Sequence, residues 1–150
     1  MRHASLAAAP CPIARTLDLV GEWWTLLIVR DAILGAQRFE DFKAAGIADN
    51  ILSARLKKLM EAGIFRRRRY QTHPDRYEYL LTEKGRALAP IVLALRSWGK
   101  RFTKGPDSSH IAHKDCDGDI ELGFRCAKCD REIDGAEVTR ARVRESAKVG

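Results

Sequence analysis

The chain has 150 residues, 27 lysines and arginines against 20 aspartates and glutamates, and a net charge of +7. That length allows one ordinary domain and a small appendage, and a hydrophobic content of 45% excludes wholesale disorder. The apolar run Trp23-Trp24-Thr25-Leu26-Leu27-Ile28-Val29 meets a charge well short of a membrane span, and the N-terminus is too short and too weakly apolar for a signal peptide. A cytoplasmic protein is expected, with its four cysteines as thiols or metal ligands rather than disulfides.

The charge is unevenly distributed. Residues 1–102 hold 18 basic and 10 acidic residues, a balance of +8, whereas residues 103–150 hold 9 and 10, a balance of −1. A basic body joined to a neutral appendage suits a nucleic-acid-binding domain with an extension. Thr103-Lys104-Gly105-Pro106-Asp107-Ser108-Ser109 reads as the linker. The expected organisation is therefore a domain over 10–102, a linker over 103–109 and a Cys/His-containing extension over 110–150.

In chain order, a short helix over Ile13 to Val20 is separated by Gly21 from an apolar helix over Glu22 to Leu34. Arg38 to Ala44 forms a third helix, with Phe39 and Phe42 on one face. Gly46-Ile47-Ala48 is a turn, and Asp49 is placed to cap the next helix, which Gly63 ends. Ile64 to Gln71 and Arg76 to Leu81 are strands joined by Thr72-His73-Pro74-Asp75. Thr82 caps a long helix over Glu83 to Phe102, which Pro90 bends or marks in its first turns.

The helix at 49–62 carries Leu52, Leu56, Leu59 and Met60 on one side and Asn50, Ile51, Ala54, Lys57 and Lys58 on the other. Asn50, Ile51 and Ser53 lie near the end that meets base edges in helix-turn-helix docking, and Ala54 can touch a thymine methyl. Lys57 and Lys58 suit phosphates. In the following strand, Arg66-Arg67-Arg68-Arg69 alternates between two faces. One pair is expected to bond Glu78 or other carboxylates of the ribbon. The other is expected to face DNA with Arg76 and His73; alternation alone does not say which pair takes which task, and Arg67 and Arg69 are the candidates, with Arg38 a further phosphate candidate.

Cys11-Pro12-Ile13-Ala14, Gly21 to Asp31, Arg38-Phe39, Leu52 to Leu59 and Tyr77 to Gly85 together resemble the HxlR-type winged helix-turn-helix regulators. The resemblance implies an α+β, mainly helical fold: a winged helix-turn-helix with a C-terminal dimerisation helix. It implies a homodimer that binds double-stranded DNA at a near-palindromic operator and acts as a repressor or activator, repression being the favoured reading. Leu17, Val20, Val92, Leu95, Trp98 and Phe102 are the interface candidates. Of the adjacent Trp23 and Trp24, one is expected in the core and one at the interface or a small-molecule cavity. Some family members sense oxidants or electrophiles through a cysteine at the position of Cys11, beside a helix N-terminus that favours thiolate.

The appendage contains His113-x2-Cys116 and, nine residues on, Cys126-x2-Cys129. Two ligand pairs at this spacing are those of a closed structural zinc site, with strands expected over Ile120 to Arg125 and Ile133 to Val138. His110 is an alternative to His113, and a Cys126–Cys129 redox pair is the alternative chemistry. Asp117 and Asp130 stand where glycine often follows the second ligand. No nucleophile–base constellation is visible, so an enzyme is not expected, and an adaptor that does not use DNA is disfavoured by the arginines.

Overall fold

The computed structural model describes residues 5–139. Helices α1 (Pro12–Val20), α2 (Trp23–Ile33) and α3 (Asp49–Glu61) are followed by strands β1 (Phe65–Thr72) and β2 (Asp75–Leu81), then by α4 (Glu83–Arg86) and α5 (Ala89–Phe102). A 3-10 helix, Phe39–Ala45, lies between α2 and α3. The tail adds β3 (Phe124–Arg125), β4 (Glu132–Ile133) and a 3-10 turn, Gly135–Glu137. The architecture is α+β and mainly helical, a winged helix-turn-helix.

The core gathers apolar side chains of α1, α2, the 3-10 helix, α3, β1 and α5 with two from the connecting loops: Val20, Ile28, Val29, Phe42, Ile47, Leu52, Leu56, Leu59, Ile64, Phe65 and Val92. Removing each such side chain from water contributes roughly 1.5–3 kcal/mol. Phe42 and Phe65 meet edge to face at 6.2 Å, joining the 3-10 helix to the ribbon. Trp24 packs against this core, whereas Trp23, one residue earlier, is 90% exposed.

Several boundaries differ from expectation for local reasons. The third helix is 3-10 rather than α, entered through Arg38 and ended by Gly46 in the left-handed region. Ala48, not Asp49, is the N-cap of α3, and the Asp49 carboxylate turns instead to Lys43. The single long helix expected over 83–102 is two. Thr82 accepts from the Gly85 amide to start α4, the chain turns at Ala87 and Leu88, and Pro90 sits in the first turn of α5, where its missing amide is harmless. Gly85 is required by close approach, since a Cβ there would fall onto the Ile64 carbonyl oxygen. The tail strands are two residues each, far shorter than expected, because their flanks are engaged in turns.

The Gly-Pro-Ser segment expected as a linker runs against α5. Arg96 of α5 donates to Ser109 Oγ (3.0 Å), Asp107 (2.6 Å) and Asp119 (2.9 Å), and Lys100 donates to Asp119 at 2.5 Å. Ile111 is buried beside them.

Candidate nucleic-acid interface

Helix α3 is held from behind. Leu52, Leu56 and Leu59 are each 1% exposed or less, and Met60 packs partly against the core, so the opposite face is turned outward. That face carries Asn50, Ile51, Ser53, Ala54, Lys57 and Lys58, all exposed, with the first three near its N-terminal end. Two cations tie α3 to the α1–α2 turn. Arg55 pairs with Glu22, the N-cap of α2, and Lys58 Nζ reaches the Asp18 carbonyl at 3.4 Å. Lys58, expected on phosphate, is thus directed in part toward its own chain, while Lys57 has only Glu61 at 4.0 Å. Lys84 donates to Ala62 at 2.7 Å, closing the C-terminal end of α3.

The ribbon begins four residues after α3. Its register pairs Arg66 with Leu80, Arg67 with Tyr79, Arg68 with Glu78 and Arg69 with Tyr77, with a bulge between Arg69 and Gln71. The alternation separates the arginines by task. Arg68 donates through Nε (3.1 Å) and Nη2 (2.7 Å) to one oxygen of Glu78, a buried carboxylate that needs a cation. Arg67 stacks on Tyr77 at 4.2 Å and stays exposed, and Arg69 stays exposed beside Asp75 at 3.5 Å. Among the described residues Arg66 and Arg76 pair with no carboxylate. His73, at the exposed tip, leans on Thr72 Oγ1.

Arg38 enters the same surface from another element. A bridge between Arg38 and Glu78, with the Tyr79 amide donating to Gln37 at 2.7 Å, lays this segment beside β2. The Arg38 guanidinium then stacks on Tyr70 at 4.7 Å. Asp41 accepts from the amides of Arg38 (2.8 Å) and Gln37 (3.0 Å), which hold its carboxyl below the ordinary range. Sequence reasoning missed Arg55, Tyr70 and Tyr77. The visible signal for the tyrosines was their position, one ending the arginine run and one opposite it.

The interface candidates divide. Leu17, Leu95, Trp98 and Phe102 are exposed, with Trp98 and Phe102 in contact at 5.4 Å. Val20 and Val92 are buried in the chain's own core and are not surface residues, because both fall on the inner stripe of their helices. Cys11 is exposed as the N-cap residue of α1, ahead of Pro12.

In the tail the structure places the four metal candidates as two pairs. His113 Nδ1 lies 3.2 Å from Cys116 Sγ. The two turns share one pattern. The His113 amide donates to Gly118 O and the Asp117 amide to His113 O; the Cys126 amide donates to Arg131 O and the Asp130 amide to Cys126 O. Asp117 (φ 55°) and Asp130 (φ 59°) both take the left-handed conformation, so aspartate serves where glycine is commoner. The amides of Cys129 and Lys128 donate toward the Cys126 sulfur and lower its pKa. The expected single four-ligand cluster is not gathered: among the described residues no three His, Cys, Asp or Glu side chains converge as metal ligands. Each turn is held by its own local hydrogen bonds, and β3–β4 extends only the second. His110, at φ 47°, belongs to neither turn.

The HxlR-like helix-turn-helix model matches residues 19–107. This chain belongs to that family of DNA-binding transcriptional regulators. It is 39% identical over 130 residues to the uncharacterized HTH-type transcriptional regulator Mb3122 of Mycobacterium bovis, covering 85% of this chain and 82% of the relative. Its fold is similar to that of PA1607, a protein assigned as a transcription factor, at TM-score 0.80 and 37% identity, over 93% of this chain and 99% of that one. The reduced form of the redox regulator HypR matches at TM-score 0.57 and 36% identity, over 61% of this chain and 92% of that one. Among the described residues no helix is long and apolar enough to cross a membrane.

Proposed function

We propose that this regulator works as a homodimer that sets α3 of each protomer into the major groove of one half of a near-palindromic operator, with repression as the outcome. The observation that carries this reading is the joint placement of α3 and the ribbon. A polar face containing Asn50, Ile51 and Ser53 is backed by fully buried leucines, and a ribbon bearing exposed Arg67, Arg69 and Arg76 follows. Asn50 suits bidentate bonding to adenine, Ile51 and Ala54 suit thymine methyls, and Lys57, Arg38 and the ribbon cations suit phosphates. The exposed apolar residues of α1 and α5 support self-association, which would bring two copies of α3 to two half-sites. Fluorescence anisotropy on the DNA upstream of the gene, over a salt series, tests it; no binding at low salt rejects it. Sedimentation of the free protein tests the dimer.

The same reading includes zinc as a structural staple of the tail, which would have to draw His113 and Cys116 of one turn and Cys126 and Cys129 of the other together into one site. It is supported by the two matching turns. Zinc would supply the cohesion that a segment with so few buried apolar residues lacks. Metal analysis of the purified chain, with thiol titration before and after chelation, checks it; a metal-free protein with four freely titrating thiols refutes it.

A second reading is thiol-based control of the same DNA binding. It is favoured by the exposure of Cys11 at the start of α1 and by the likeness to HypR, described as a redox regulator. DNA binding that is unchanged by mild oxidant in the wild type, and equally in Cys11→Ser, excludes it.

A further inference from the structure

Between α2, α5 and the segment that runs back over them lies a cavity of about 530 Å³, within the usual size range of small-molecule sites. Leu26 and Leu27 of α2 and Val92 and Leu95 of α5 line it, and Ile111 closes one side. Four cations, Arg30, Arg96, Lys100 and Lys104, also line it. Their carboxylate partners are three. Asp31 pairs with Arg30, Asp107 with Arg96, and Asp119 is shared by Arg96 and Lys100. Asp107 is held ionised by Ser109 and by Arg96, its pKa lowered to about 2, and Asp119 is lowered by Lys100 and Arg96. Four cations against three carboxylates leave one positive charge, and among the described residues Lys104 pairs with no carboxylate.

We propose that this cavity binds a small amphipathic monoanion, an organic carboxylate with a compact apolar body. The apolar walls would remove the body from water, and the surplus cation would match the single charge. The site is reached by the segment 103–111, so its occupant would touch the same residues that fasten the tail to α5. Its meaning as an effector site rests on the DNA-binding reading, but binding itself does not.

Isothermal calorimetry on the full chain without DNA tests the proposal, using 4-tert-butylbenzoate as the probe and its neutral amide as the control. Gly99 lines the cavity, and a Cβ added there meets only Thr103 Oγ1, at 3.9 Å, so Gly99→Leu is chosen to fill the space. The carboxylate is expected to bind, and the amide, or Lys104→Met with the carboxylate, to bind about tenfold more weakly. Gly99→Leu, checked for native helicity, is expected to lose binding. No heat at about 1 mM probe, equal affinity for acid and amide, or undiminished binding by Gly99→Leu each overturns the proposal. So does Gly99→Leu dissociating the protein while the wild type binds nothing, which would assign the cavity to a second copy. Failure to bind DNA leaves all of these measurements unchanged, so the two readings fail separately.

Discussion

The winged domain and the tail of this chain are held by different forces. Apolar side chains from α1, α2, the 3-10 helix, α3, β1 and α5 meet in one core, and polar contacts trim the ends of elements that already pack. From Thr103 to Thr139 only Ile111 is buried, and the chain is positioned by Arg96, Lys100, Asp107 and Asp119 and by two hydrogen-bonded turns. Non-directional burial makes a domain that tolerates surface change. Directional contacts among partly exposed groups make a segment whose position depends on a few atoms. The proposed DNA-facing surface sits on the first kind of support and the proposed metal ligands on the second.

The largest test of that contrast is Leu56→Ala. Leu56 is 1% exposed at the centre of α3, so its truncation is expected to cost about 2–5 kcal/mol of unfolding free energy. Chemical denaturation followed by far-UV circular dichroism measures it. Ile111→Ala should leave the main transition in place, and an equal loss from the two would erase the distinction. The next effect is on DNA. Arg67→Ala with Arg69→Ala removes two exposed cations that carry no core, so the fold should be kept while the slope of log affinity against log salt falls by about 2. Anisotropy titrations read both slopes. Arg68→Ala should instead loosen the ribbon, because it leaves the buried Glu78 without its cation.

The two regions also differ in how far their sequence could be read. Leu52, Leu56 and Leu59 recur at helical spacing, and burial follows that spacing directly. Gly63 at φ 69° ends the pattern, as its position after α3 implies. The break between α4 and α5 was less legible, because Thr82 and Pro90 each signal a helix start and only the turn at Ala87 and Leu88 shows that both do. Among the arginines, alternation separated two faces, but it could not show that Arg67 would lie on Tyr77 or Arg38 on Tyr70, since the first is a diagonal contact set by the strand register and the second depends on a bulge and on a bridge from another element. In the tail, the Cys/His spacing was plain, and each pair lies in a hydrogen-bonded turn of its own. The Gly-Pro-Ser composition of 103–109 hid the attachment to α5, because that attachment is made by Asp107 and Ser109, residue types equally at home in solvent.

A smaller effect isolates that attachment. Arg96→Ala removes the one side chain that holds Asp107, Ser109 and Asp119 together. Amide hydrogen exchange over 105–119 is expected to speed about tenfold, while α2 and α3 keep their protection. Faster exchange in α3 as well would mean that the tail braces the proposed DNA-binding face.

The smallest effect is one of pH, and its sign follows from the carboxylates. Asp107 has its pKa lowered to about 2 by the Ser109 hydroxyl and amide and by Arg96, so folding favours its charged form. Its contribution is complete above the unfolded value of about 3.9 and disappears as pH falls through about 2. Asp119, lowered by Lys100 and Arg96, acts in the same direction. Exchange of 105–119 should therefore quicken, relative to intrinsic rates, as acid is added below about pH 4. The buried leucines of α3 carry no charge and set no such dependence on that helix. If instead the exchange of 105–119 relative to α3 does not change between about pH 5 and pH 2, the ionic attachment contributes nothing and Ile111 alone holds the tail on α5.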